Sequence, residues 1–208
     1  MITWSQFGLF TAASLVLIFT PGPDIIYVMT RGMAQGRRAA LAAAAGFSLG
    51  NFVHTFFAVI GLSALLAASA TAFHIVKWAG AAYLIYLGVR MIRNASAADL
   101  SVQGPRMSGW AVFRQSIVAN VLNPKVAIFF LAFFPQFIDT GRGAAHYQMM
   151  LLGTFFVLLT FVCFGLVGIC SGWIGGWLRR NTKAEMRMGQ IAGAILIVLG
   201  LSLAIPEN

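Results

Sequence analysis

Between Arg38 and Lys77 the chain carries no Asp, Glu, Lys or Arg. A helix that crosses the hydrocarbon core of a bilayer needs about 20 mostly apolar residues. This run is too long for one such helix and holds two, joined near Ala68–Ala72. A second long run extends from His146 to Leu178 and ends in glycine-rich sequence at Gly172, Gly175 and Gly176. Of the 208 residues, 60% are hydrophobic and only 9% charged. A soluble domain of this length needs a charged surface that this chain does not have. The expected fold class is all-α integral membrane.

The apolar runs predict six transmembrane helices, at roughly 5–29, 39–66, 73–92, 111–138, 147–172 and 188–206. Met1 to Pro23 has no Lys or Arg in front of it and no small-residue cleavage site behind it, so it reads as a retained first span. The net charge of +9 raises nucleic acid as a partner. The basic residues sit in short clusters between apolar runs, not on one face of a soluble fold, which excludes that class. Arg31, Arg37 and Arg38 fall in the first connection, and Arg90, Arg93, Arg106 and Arg114 around the third. Arg179, Arg180, Lys183 and Arg187 fall in the fifth. The other side holds only Lys77 and Arg142. Basic residues mark the cytoplasmic side, so both termini are expected on the opposite one. Trp4, Trp78, Trp110, Trp173 and Trp177 all lie near span ends, as an interfacial aromatic belt requires. Cys163 and Cys170 are seven apart on one predicted helix, about 10 Å along its axis. That is too far for a disulfide, and two cysteines alone make no metal site.

Six spans divide into three plus three. The first half opens with Trp4 and Phe7 and breaks at Thr20-Pro21-Gly22-Pro23-Asp24. The second opens with Trp110 and Phe113 and breaks at Asn123-Pro124-Lys125. Pro21 and Pro124 are 103 residues apart. Paired Pro/Gly-interrupted spans at matching positions point to an inverted-repeat transporter with broken first and fourth helices. The expected organisation is a single transporter domain over 1–208. Repeat one takes about 1–95, a cytoplasmic linker about 94–110, and repeat two about 110–206.

Asp24 and Lys125 are the acid and the base predicted to lie well inside a span. Each costs about 2.5–3.5 kcal/mol near the bilayer centre on insertion scales, so each needs a partner, water or a substrate. Asp24 also has a plain explanation, since an acid suits the first turn of a half-helix. Lys125 has none: a cation at a helix N-terminus opposes the dipole unless an anion meets it. The expected substrate-binding set is Asp24, Lys125, Pro21, Gly22, Pro23, Asn123, Pro124, Asn120 and Asn51. Free amides after the prolines, with Lys125, would hold a carboxylate. Asp24 would hold an ammonium group or a coupling proton, and His54, one helical turn from Asn51, is a second proton-coupling candidate. Equally, His54 reads as a packed, hydrogen-bonded residue. Gly46 and Gly50 form a small-residue stripe for helix packing, which allows a homodimer as readily as internal contact.

Several motifs together resemble one family. They are Phe19-Thr20-Pro21-Gly22-Pro23-Asp24 with Val28, then Gly32 with Gly36, Gly46 with Gly50, and Trp78, Gly80, Ala81, Tyr83, Leu84, Leu87 and Gly88. Leu122-Asn123-Pro124-Lys125 with Phe129 and Phe130, and Phe133, Pro135, Gln136 and Phe137, complete the set. Over about residues 5–205 the chain resembles the LysE/RhtB family of bacterial amino-acid exporters. The resemblance implies a multi-pass inner-membrane exporter of amino acids or their derivatives, driven by protons; the charge bias puts both termini on the periplasmic side. No cofactor is expected, and the resemblance names a solute class and not one solute. Asn is also common in that family at the position of Asp24.

Two other classes fit less well. An intramembrane enzyme needs a nucleophile with a base, or a metal cluster, and His54 has no Gly-x-Ser-x-Gly elbow or His-Glu pair beside it. An ion exporter on the same scaffold needs clustered carboxylates, His or Cys in the spans. The sequence therefore reads as a transporter of small solutes in contact with membrane lipid, and not as an enzyme.

Overall fold

The computed structural model describes residues 2–62, 70–93, 106–139, 141 and 143–204. Helix α1 (Trp4–Phe19) starts at a capping box. The Thr3 hydroxyl accepts from the Gln6 amide at 3.2 Å, and Gln6 Oε1 accepts from the Thr3 amide at 2.9 Å. Both orphan amides of that end are thereby satisfied. Helix α2 (Pro23–Gln35) continues the same span at a bend of 58°. Pro23 occupies the first turn of α2, where a missing N–H is harmless. Gly36 then ends α2 at φ +84°, a left-handed conformation suited to glycine.

Helix α3 (Arg37–Phe57) passes into a π-helical turn at Ala58–Leu62, and α4 (Ala70–Arg93) follows. Helix α5 (Gly109–Val121) begins where the Ser108 hydroxyl accepts from the Ala111 amide at 3.2 Å. Helix α6 (Pro124–Ile128) runs on through a π turn (Phe129–Phe133) and a 3-10 turn (Phe134–Phe137), bent from α5 by 48°. Helices α7 (Ala145–Ile169), α8 (Ser171–Arg180) and α9 (Thr182–Ala204) complete the described chain. No strand occurs among the described residues. Counting each bent pair as one span, six helices are long and apolar enough to cross a bilayer.

The protein is an all-α integral membrane protein. Its centre is α3, which packs on α2, α5 and α7, while α4 lies along α9 at one flank. The core is aromatic: Phe10, Phe129, Phe130, Phe134, Phe156 and Phe164 are fully buried. The outside is apolar too, with Phe56 at 60% exposure and Val198 at 62%. All five tryptophans are exposed. A surface of this kind suits lipid and not water.

Several boundaries differ from the sequence reading. The first span runs to Gln35 and not to 29, because α2 continues as an amphipathic helix past the apolar run. The second begins at Arg37, and the expected joint at Ala68–Ala72 lies partly outside the described residues, with α4 already begun at Ala70. The fifth span stops at Ile169, and Cys170 links it to the separate helix α8. Cys170 is therefore exposed at a junction, whereas Cys163 is buried in α7. The last helix starts at Thr182, six residues before the apolar stretch. Most of the expected linker, 94–105, lies outside the described residues.

Candidate functional site

Both proline breaks turn polar backbone and side chains into the core. Thr20, Asp24, Asn51, His54, Asn120, Asn123 and Lys125 are all buried. At the first break the Thr20 hydroxyl donates to the Val16 carbonyl at 2.6 Å, and no side chain caps the start of α2. At the second, Asn123 Oδ1 accepts from the Lys125 amide at 3.0 Å. This is an N-cap of the usual kind. It means that the Lys125 amide, expected to be open to a carboxylate, is already engaged.

The Lys125 side chain crosses from the second half to the first. Its Nζ lies 3.0 Å from Asp24 Oδ2 and 3.2 Å from Oδ1, and it donates to the carbonyls of Leu17 and Thr20 at 3.3 Å each. Those carbonyls belong to the last turn of α1, whose negative dipole end favours a cation. So Lys125, badly placed on its own half-helix, is well placed on the other. Asp24 sits in the first turn of α2, where its charge also suits the dipole.

A second polar group lies beside the ion pair. Asn120 Nδ2 donates to Asn51 Oδ1 at 3.0 Å, and Asn51 Nδ2 donates to Thr160 Oγ1 at 3.2 Å. Thr160 Oγ1 donates in turn to the Phe156 carbonyl at 2.8 Å. Asn120 fits against α3 because position 50 is glycine: a Cβ there would stand 2.6 Å from Asn120 Oδ1. Asn120 Oδ1 and Asn123 Nδ2 are buried without a hydrogen-bond partner.

These residues meet at a small cavity. It is lined by Asp24, Asn51, Asn120, Thr160 and Lys125, with apolar walls including Phe156 and Phe164. The space amounts to about 10 Å³, room for one water molecule. Four expected residues line it directly: Asp24, Lys125, Asn120 and Asn51. Pro21, Gly22, Pro23, Asn123 and Pro124 are not among the lining residues; they shape the two breaks, and the Pro23 and Pro124 rings are exposed. His54 does not line the cavity either. Its Nε2 lies 3.1 Å from the Asn120 carbonyl and its ring stacks on Phe130. Thr160 was missed from sequence, since it sits in an apolar run with no charge or proline to mark it. Among the described residues no three His, Cys, Asp or Glu side chains gather as a metal site would require.

The family model for the LysE type translocator matches residues 15–207. The chain is 32% identical to the homoserine/homoserine lactone efflux protein of Salmonella typhimurium, over 98% of each chain. It is also 32% identical to an uncharacterised membrane protein of Vibrio cholerae, over 92% of each. To the leucine efflux protein of an Enterobacter species it is 25% identical, over 96% of this chain and 95% of the relative. No solved structure matches it. The family match takes in both proline breaks and every residue around the cavity, and the chain belongs to the LysE type translocator family of membrane transporters.

Proposed function

We propose that the protein exports amino acids or amino-acid derivatives across the bacterial inner membrane, coupled to protons, through a site between its two broken helices. The observation that carries this reading is the buried Lys125–Asp24 pair at 3.0 Å, which bridges the two halves inside the span. A zwitterion carries the same two charges as that pair. Its carboxylate takes the place of Asp24 at Lys125, and its ammonium takes the place of Lys125 at Asp24. Exchange keeps every charge paired, which a buried site demands. The relatives named as homoserine and leucine efflux proteins support the solute class and the direction.

The exchange also moves backbone. Lys125 Nζ holds the Leu17 and Thr20 carbonyls at the end of α1. A substrate carboxylate that draws the ammonium away releases that end of the half-helix. The cavity has room for one water, so it opens as the substrate enters. A proton takes the ammonium's place at Asp24 once the solute has left, and the next ammonium expels it, so proton and solute alternate at one residue and cross in opposite directions. In this reading the two halves are inverted repeats. The basic end faces the cytoplasm and both termini face the periplasm.

The test is counterflow in proteoliposomes. Liposomes loaded with one unlabelled amino acid take up the labelled form when the protein exchanges it. A Lys125→Ala variant that inserts normally is expected to lose exchange altogether. Wild-type rates in that variant would remove the site from the reading, and no exchange of any amino acid by the wild type would remove the reading itself.

A further inference from the structure

The hydrogen bonds around Asn120 have a direction. The Thr160 hydroxyl spends its one hydrogen on the Phe156 carbonyl, so towards Asn51 it accepts. That fixes the Asn51 amide with Nδ2 on Thr160 and Oδ1 on Asn120. It also fixes Asn120 with Nδ2 on Asn51. Turning either amide would set donor against donor or acceptor against acceptor. The chain of bonds therefore ends on Asn120 Oδ1, an acceptor that is buried and receives no donor. Buried acceptors are nearly always paired, and an orphan in a transport cavity points to a donor that arrives with the ligand.

We infer that Asn120 Oδ1 determines specificity by accepting a hydrogen bond from a side-chain hydroxyl of the substrate. Hydroxyl-bearing amino acids and their derivatives are then preferred over aliphatic ones of the same shape. The inference rests on the ion-pair exchange proposed above. With carboxylate at Lys125 and ammonium at Asp24, the cavity's remaining polar group is the Asn51–Asn120–Thr160 cluster, and the rest of its wall is apolar. Asn120 Oδ1 lies against Gly50 of α3, and as the cavity opens around the substrate a hydroxyl meets this orphan acceptor. A methyl group in the same position leaves it unpaired and excludes the water that could serve it. The backbone at Asn120 is held separately, by His54 on its carbonyl, so the side chain can be changed without releasing the helix end.

The experiment compares L-homoserine with L-norvaline, which differ by a terminal hydroxyl against a methyl. Counterflow is measured with the purified full-length protein in proteoliposomes. The wild type is expected to exchange homoserine about tenfold more efficiently, the scale of one unpaired buried acceptor. In Asn120→Leu the ratio falls to about one. Thr160→Val removes the group that orients both amides, so the ratio narrows there too, while Thr160→Ser keeps it. Equal exchange of the two amino acids by the wild type overturns the inference. So does an Asn120→Leu protein that loses both rates alike, or a Thr160→Val protein with an unchanged ratio. Absence of any amino-acid exchange sinks the site reading together with the inference, whereas equal exchange sinks the inference alone.

Discussion

The Lys125 ammonium makes four contacts, and each comes from the other half of the chain. Removing it strands Asp24, which is 3% exposed, without a partner. Breaking a buried pair from one side costs about 3–5 kcal/mol. Lys125→Ala is therefore expected to lower the melting temperature in detergent as well as abolish exchange. Removing both charges, as Asp24→Leu with Lys125→Met, is expected to restore most of the stability and none of the transport. If the double variant melts as low as the single one, the pair is not the source of the loss. Sequence marked both residues, because a charge inside an apolar run is visible without a structure. Their contact was not legible. Span estimates treat helices as straight, whereas the two spans bend by 58° and 48° at their breaks, and Lys125 reaches Asp24 across them. Equally invisible were the carbonyls of Leu17 and Thr20, since a backbone group leaves no mark in a sequence.

At the level of helices, the layers on the two sides of the cavity are unequal. On the basic side Tyr27, one turn beyond Asp24 on α2, donates to Gln115 on α5 at 2.6 Å. Its ring meets Phe47 edge-on, and Phe47 meets Phe164, which lines the cavity. Arg31 lies over the Tyr27 ring at 5.0 Å. Towards the other end a thicker stack forms from Phe10, Phe129, Phe130, Phe134, Phe137 and Phe156. The thin layer is the easier one to open. Tyr27→Phe keeps the ring and deletes the hydrogen bond, worth about 1 kcal/mol. A cysteine at Thr160, with Cys163 and Cys170 replaced by Ala, is then expected to react with a maleimide about fivefold faster than in the Tyr27 parent. An unchanged rate would place the barrier elsewhere. Packing at α3 makes a separate demand. Gly50→Ala sets a Cβ 2.6 Å from Asn120 Oδ1, so α3 or the side chain must shift. Overpacking of that sort costs about 1–3 kcal/mol, and exchange is expected to fall with it. The Gly46 and Gly50 spacing announced a close helix contact, but not that a polar side chain from the second half would fill it.

Across the whole molecule, the sequence reading rests on one alternation. Six spans put the first, third and fifth connections at one end, and eleven of the fourteen Lys and Arg residues fall there. The described helices keep that order: Gln35 to Arg37, Arg93 to Gly109, and Ile169 to Thr182 lie between successive spans. Lys and Arg near span ends set orientation, so this end is expected in the cytoplasm. A C-terminal alkaline phosphatase fusion is then expected to be active and a C-terminal green fluorescent protein dark. The reverse pair of signals would turn the molecule over. Its consequence would reach the site, because the thin Tyr27 layer would then face the periplasm and the phenylalanine stack the cytoplasm. An exporter must load its solute from inside, so the layer that yields more readily belongs on the side with the basic residues. Orientation and gate asymmetry are thus two independent readings of one direction, and the fusion experiment checks whether they agree.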